Sequence, residues 1–88
     1  MFEILITKTF KKQLNNLQPS DQDFVVDKIR SLSKNDQNLD IRKINPKHLD
    51  CYRLRAGKYR IIYFYSGKHK ITLLKIDKRD NVYFGSWN

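Results

Sequence analysis

Apolar residues fall into successive short patterns along the chain, and their period changes from one segment to the next. Residues 2–7, Phe-Glu-Ile-Leu-Ile-Thr, are rich in β-formers and read as a short strand. Phe10, Leu14 and Leu17 then recur at i, i+4, i+7, one face of a short helix that Thr7 or Thr9 is placed to cap. Pro19-Ser20 breaks the chain and restarts it. Ser20, with Asp23 three residues on, makes a capping-box-like start, and Asp21 and Asp23 suit the positive end of a helix. Val25, Ile29 and Leu32 continue as one apolar stripe with Phe24 beside it, so the second helix is predicted from about residue 21 to 34. The short Gln18-Pro19-Ser20 connection predicts an antiparallel helical hairpin.

The second half has a different rhythm. Residues 35–50 are polar and irregular, with Leu39, Ile41, Ile44 and Leu49 as anchors to a core. Strands are predicted over residues 51–55, 59–65 and about 70–77, separated by turns at Ala56-Gly57-Lys58 and Ser66-Gly67-Lys68. After Arg60 the middle strand is apolar or aromatic on both faces, which marks it as central. Tyr59, Tyr63, Phe64 and Tyr65 therefore read as core rather than as base-stacking residues. The expected fold is α+β in the order β-α-α-β-β-β, a two-helix hairpin on one face of a small, mainly antiparallel sheet. Residues 1–88 are expected to form one domain, with a short tail through Trp87.

Composition adds a partner class. A 40% hydrophobic content supports a core and excludes a globally disordered chain. Eighteen Lys and Arg against nine Asp and Glu give a net charge of +9. Residues 1–50 hold nine basic and seven acidic side chains, a net +2; residues 51–88 hold nine basic and two acidic, a net +7. Such asymmetry points to a polyanionic partner. Cys51 is the only cysteine, which rules out an intrachain disulfide and fits a reducing cytoplasm. Lys8, Lys11 and Lys12 interrupt any signal-peptide pattern, and no apolar run approaches the ~18 residues of a membrane span, so no membrane is expected. No His/Cys/Asp/Glu cluster has metal-ligand spacing, and neither metal nor cofactor is expected. His48 in the polar loop and His69 near a turn read as solvated histidines.

The chemistry lies in the arginines. Arg53 and Arg55 are two apart on one strand and share a sheet face, opposite to Tyr52 and Leu54. Arg60 lies just past the turn, where a hairpin brings it beside Arg55. Arg79 and Tyr83 follow the last strand, and Lys58 and Lys78 are expected at the rim of the same face. Guanidinium is planar, permanently charged and able to hold two phosphate oxygens at once. Several gathered together repel one another, and a phosphate relieves that repulsion. Asp77 and Asp80 are the only carboxylates after Cys51, so local neutralisation is expected to be sparse.

Asp50-Cys51-Tyr52-Arg53-Leu54-Arg55, Gly57-Lys58-Tyr59-Arg60-Ile61-Ile62-Tyr63 and Lys78-Arg79-Asp80-Asn81-Val82-Tyr83 together resemble the RelE/ParE toxin superfamily. The shared pattern is a basic strand, a turn, Tyr-Arg-apolar-apolar-Tyr, and a late Lys-Arg followed by Val-Tyr. RelE-type members are ribosome-dependent mRNA endoribonucleases that act in the ribosomal A site and are neutralised by a cognate antitoxin. The resemblance implies that Arg60, Arg79 and Tyr83 are catalytic and that Arg53 and Arg55 bind RNA; Lys58 and Lys78, expected at the rim, are added as phosphate-binding cations from their placement alone. Arg53 and Arg55 fall where RelE has lysines, which keeps the charge and changes the proton chemistry. The implied reaction is attack of an RNA 2′-OH on its own phosphate, giving a 2′,3′-cyclic phosphate and a 5′-OH. Operator DNA is implied as a partner only through the antitoxin complex. The alternative activity is that of ParE-type members, which inhibit DNA gyrase without catalysis of their own. A third role, compatible with either, is a partner-bound repressor component whose basic face receives an acidic antitoxin segment.

Overall fold

The computed structural model describes residues 1–44 and 50–78. Its elements are β1 (Glu3–Ile6), α1 (Lys8–Asn15), α2 (Pro19–Ser33), β2 (Ile41–Ile44), β3 (Cys51–Ala56), β4 (Tyr59–Gly67) and β5 (Lys70–Lys78). The five strands form one sheet in the order β1-β5-β4-β3-β2. β1 runs parallel to β5, and every other pairing is antiparallel. The helices cover one face. Phe10, Val25 and Leu32 pack there against Leu54, Ala56, Tyr59, Ile61, Tyr63, Ile71, Leu73 and Ile76.

Local chemistry explains where the helices begin and end. The Thr7 hydroxyl accepts from the Phe10 N–H at 3.1 Å, so Thr7 is the cap of α1. The same hydroxyl lies 3.1 and 3.0 Å from the Leu73 and Leu74 carbonyls, which ties the helix start to β5. The expected Ser20–Asp23 capping box does not form. Pro19 occupies the first turn of α2, where its missing N–H costs nothing, and Gln18 caps without a side-chain bond. The hairpin is closed instead by the Gln22 side-chain amide, which donates to the carbonyls of Asn15 (3.2 Å) and Leu17 (2.9 Å). α2 ends in a Schellman motif. Asn35, at φ 59°, donates to Leu32, and Asp36 donates to Ser31, both at 3.0 Å.

The sheet departs from expectation at three places. The segment read as irregular contains β2, whose Arg42 pairs with Arg53 and whose Ile44 pairs with Cys51. A four-residue edge strand buries little, so it carries no clear period of its own. Second, the β4–β5 turn lies at Lys68-His69, later than expected, because Gly67 still pairs with Lys70; His69 takes φ 61°. Third, the register slips between Ile62↔Lys75 and Tyr63↔Leu73, leaving Leu74 as a bulge. That bulge accounts for the imperfect alternation of Leu73, Leu74 and Ile76. The β3–β4 turn lies where expected, narrowed to Gly57-Lys58 because Ala56 still pairs with Tyr59, and Gly57 has φ +63°.

Among the tyrosines of β4, Tyr59 and Tyr63 are core, whereas Tyr65 is 45% exposed. Tyr52 stacks on Tyr63 at a centroid distance of 5.7 Å, and Tyr65 meets both edge-on. Burial, and then the neighbouring Tyr65 phenol, push the Tyr63 pKa up. Among the described residues its buried hydroxyl meets no hydrogen-bond partner. A raised folded-state pKa means stability that is complete below the unfolded value, near ~10, and is lost as pH rises above it. Wild-type protein is therefore expected to lose up to about 1.4 kcal/mol per pH unit from this group above pH ~10. Tyr63→Phe removes that contribution at little cost near neutrality. Urea unfolding of both proteins between neutral and alkaline pH checks the difference.

Candidate functional site

The face of the sheet away from the helices is set by alternation along the strands. On β3, Tyr52, Leu54 and Ala56 belong to the helix side, so Cys51, Arg53 and Arg55 take the other. On β4, Tyr59, Ile61 and Tyr63 face the helices, and Arg60, Ile62 and Phe64 do not. Pairing then builds rows across this face. Arg55 is opposite Arg60, which is opposite Asp77; Arg42 is opposite Arg53, then Ile62, then Lys75. Arg53, Arg55 and Arg60 thus come together as expected, joined by Arg42 and Lys75. Cys51 and Ile62 are buried beside them, and Cys51 is a free thiol whose pKa burial, and then Asp50, push up.

The arginines differ in environment. Arg53 is only 7% exposed, and its Nη2 lies 3.2 Å from Asp40 Oδ1. The other Asp40 oxygen lies 3.6 Å from Arg55 Nη1. Asp40 is fixed from the backbone as well, since the Arg55 N–H donates to its carbonyl at 3.0 Å. Desolvation lowers the Arg53 pKa; Asp40 opposes the shift, and Arg60, Arg55 and Arg42 add to it. The group stays charged at neutral pH. The Nε atoms of Arg55 and Arg60 are buried with no hydrogen-bond partner among the described residues. Arg55 and Arg60 are also directly opposed across two strands, where like charges destabilise pairing. Lys75 pairs with Asp77 at 3.2 Å.

Of the residues read from sequence, the structure separates two from the arginines. Lys58 lies 3.5 Å from Asp21 of α2 and 5.5 Å from the Tyr59 ring centroid, so the helix N-terminus draws it to the opposite side. Lys78 is opposite Tyr59 and lines a groove with Gln13, Asn16 and Leu17 of the helical layer. Neither lines the rim of the arginine face. Arg79 and Tyr83, together with His48, Phe84 and Trp87, lie outside the described residues. Sequence reasoning missed Asp40 and Arg42, because both depend on β2. Among the described residues no group of three His, Cys, Asp or Glu side chains is arranged to hold a metal ion.

Two helices on one face of a five-stranded, mostly antiparallel sheet are the architecture of the RelE/ParE toxin superfamily. The chain belongs to its ParE branch by sequence: residues 4–83 match the family model of the ParE toxin of type II toxin–antitoxin systems, parDE. It is accordingly a toxin of the type II toxin–antitoxin class. Solved structures agree. The chain is similar to RelE of the archaeal RelE–RelB complex from Pyrococcus horikoshii OT3, with 26% identity, TM-score 0.71, and coverage of 89% of this chain and 94% of that one. Against the RelB–RelE antitoxin–toxin complex from Methanococcus jannaschii the values are 28%, 0.71, 90% and 94%. The RelBE2 toxin–antitoxin complex from Mycobacterium tuberculosis shares the fold at 22% identity and TM-score 0.75, over 89% of this chain and 98% of that one. No curated protein sequence matches the chain.

The two arginine environments predict opposite responses to neutralisation. Arg53→Gln removes a buried, paired charge and is expected to cost about 1–3 kcal/mol. Arg60→Gln removes a cation opposed to Arg55, with no ion-pair partner among the described residues, and is expected to leave stability unchanged or slightly raised. Thermal unfolding of both variants at low salt measures the contrast.

Proposed function

We propose that this toxin is a metal-independent endoribonuclease that cleaves mRNA in the ribosomal A site, with the arginine face as its phosphate-binding surface. The observation that carries this reading is the cationic row itself: Arg55 opposed to Arg60 across two paired strands on a helix-free face, with Arg53 held beside them by Asp40. Donors held in advance of charge development are what electrostatic catalysis requires. Arg60, with Arg79 by position, holds the scissile phosphate. Arg53 and Arg55 position the backbone. Tyr83 stacks or hydrogen-bonds near the reacting atoms, and half-buried Phe64 offers a further apolar surface on the same face.

In the proposed step the 2′-oxygen forms a bond to phosphorus as the bond from phosphorus to the 5′-oxygen breaks. The 2′-OH proton leaves to solvent and the 5′-oxygen gains one. An arginine cannot serve as the base at neutral pH. Rate enhancement then rests on charge stabilisation and on substrate orientation, which an ordered ribosomal complex supplies.

By analogy with the RelE–RelB complexes, a cognate antitoxin neutralises the toxin, and an acidic segment of it suits the cationic face. Contact with operator DNA would come only through that complex. The proposed location is the cytoplasm; among the described residues no helix is long and apolar enough to cross a membrane.

A second reading, a gyrase inhibitor without catalysis, is favoured by the match to the ParE family model. Addition of purified protein to a translating extract, with mapping of mRNA ends, separates the two. Codon-positioned cuts are expected, and Arg60→Ala is expected to slow them about 10²–10³-fold without unfolding the protein. Intact mRNA together with inhibited gyrase supercoiling would replace the first reading by the second.

A further inference from the structure

Asp40 stands where a ligand's oxyanion would. Its two oxygens face two guanidinium groups, 3.2 Å from Arg53 and 3.6 Å from Arg55, a spacing that two phosphate oxygens would match. A buried guanidinium with no counter-charge is costly, so without Asp40 the ligand-free Arg53 would be poorly tolerated. Yet Asp40 is not buried with its partners. Its side chain is 49% exposed, and it immediately precedes an edge strand of four residues, so water can receive it. Arg60, one strand further in, has no such carboxylate partner among the described residues.

We propose that Asp40 is a built-in placeholder, holding Arg53 and Arg55 in position while the face is empty and turning out to solvent when an RNA phosphodiester takes its place. The inference rests on the phosphate-binding reading above. Its consequence is selectivity. A single free phosphate must displace a tethered competitor. A polynucleotide that engages Arg60 and neighbouring cations at the same time offsets that cost over several contacts.

The test is binding of a labelled, 2′-O-methylated, single-stranded RNA oligonucleotide, which cannot be cleaved, to the full chain at fixed low salt. Asp40→Asn is expected to bind about tenfold more tightly than wild type, and Asp40→Glu, which restores the carboxylate, close to wild type. Asp27→Asn changes net charge equally, but at an exposed pair with Arg30 3.9 Å away, and is expected to shift affinity by less than about twofold. Added inorganic phosphate should raise the melting temperature of Asp40→Asn more than that of wild type. The placeholder role is overturned if Asp40→Asn binds no more tightly than Asp27→Asn, or more weakly than wild type. Should Asp40→Asn fail to fold, Asp40→Ser replaces it. If both are unfolded, inorganic phosphate must restore the fold, and failure to do so also overturns the role. If Arg60→Ala binds the oligonucleotide as well as wild type does, the phosphate-binding reading itself fails, independently of Asp40.

Discussion

The register of the β3–β4 hairpin fixes both the core and the cationic face. Ala56 pairs with Tyr59 and Arg55 with Arg60 around a two-residue turn whose first position, Gly57, has φ +63°. An L-residue there would be strained, and a Cβ would lie 3.1 Å from the Phe24 ring. Since side chains alternate with period two, a slip of one residue would move Arg53, Arg55 and Arg60 into the helix-covered core. It would also turn Leu54, Ile61 and Tyr63 out. Those three side chains are fully buried, so the hydrophobic effect opposes the slip at every one of them. Packing on one face therefore positions charge on the other.

What the sequence reveals follows from the same alternation. The helices, the central strand and the shared face of Arg53, Arg55 and Arg60 were legible because each rests on a local period or a short turn. Lys58 and Lys78 were misplaced for the opposite reason. Lys58 sits within the turn, where alternation no longer dictates direction, and Asp21 draws it across. Lys78 lies beyond the Leu74 bulge, which reverses the parity counted from the start of β5. β2 was invisible because its pairing with β3 defines it, and Asp40 with it. A count of carboxylates after Cys51 therefore understated the neutralisation of Arg53, whose partner precedes it by thirteen positions.

The electrostatics of the face are a compromise. Among the described residues, Arg42, Arg53, Arg55, Arg60 and Lys75 meet two aspartates, Asp40 at one end of the Arg55–Arg60 row and Asp77 at the other. Two carboxylates are enough to make burial of Arg53 tolerable and too few to neutralise the set. The remaining repulsion is a standing destabilisation that any polyanion reduces on binding. An RNA backbone and an acidic antitoxin segment would exploit the same surplus. Neutralisation by competition for one surface then requires no conformational signal.

Members of one fold family can act on unrelated targets, so the scaffold alone does not decide between RNA and gyrase. Two buried donors without a partner among the described residues bear on that choice. A buried polar group without a partner costs about 1–3 kcal/mol, and more when charged. Two such groups, on Arg55 and Arg60, are a substantial burden for a small protein whose net stability is of order 5–15 kcal/mol. A surface that only docks against another protein would be better served by arginines reaching into solvent, where Nε is hydrated. Guanidinium groups anchored at a buried Nε are useful when the ligand presents compact negative charge that must be met at short range. A phosphodiester approaching its transition state does so. Under the phosphate-binding reading proposed above, the cost of these buried donors is the counterpart of affinity for phosphate.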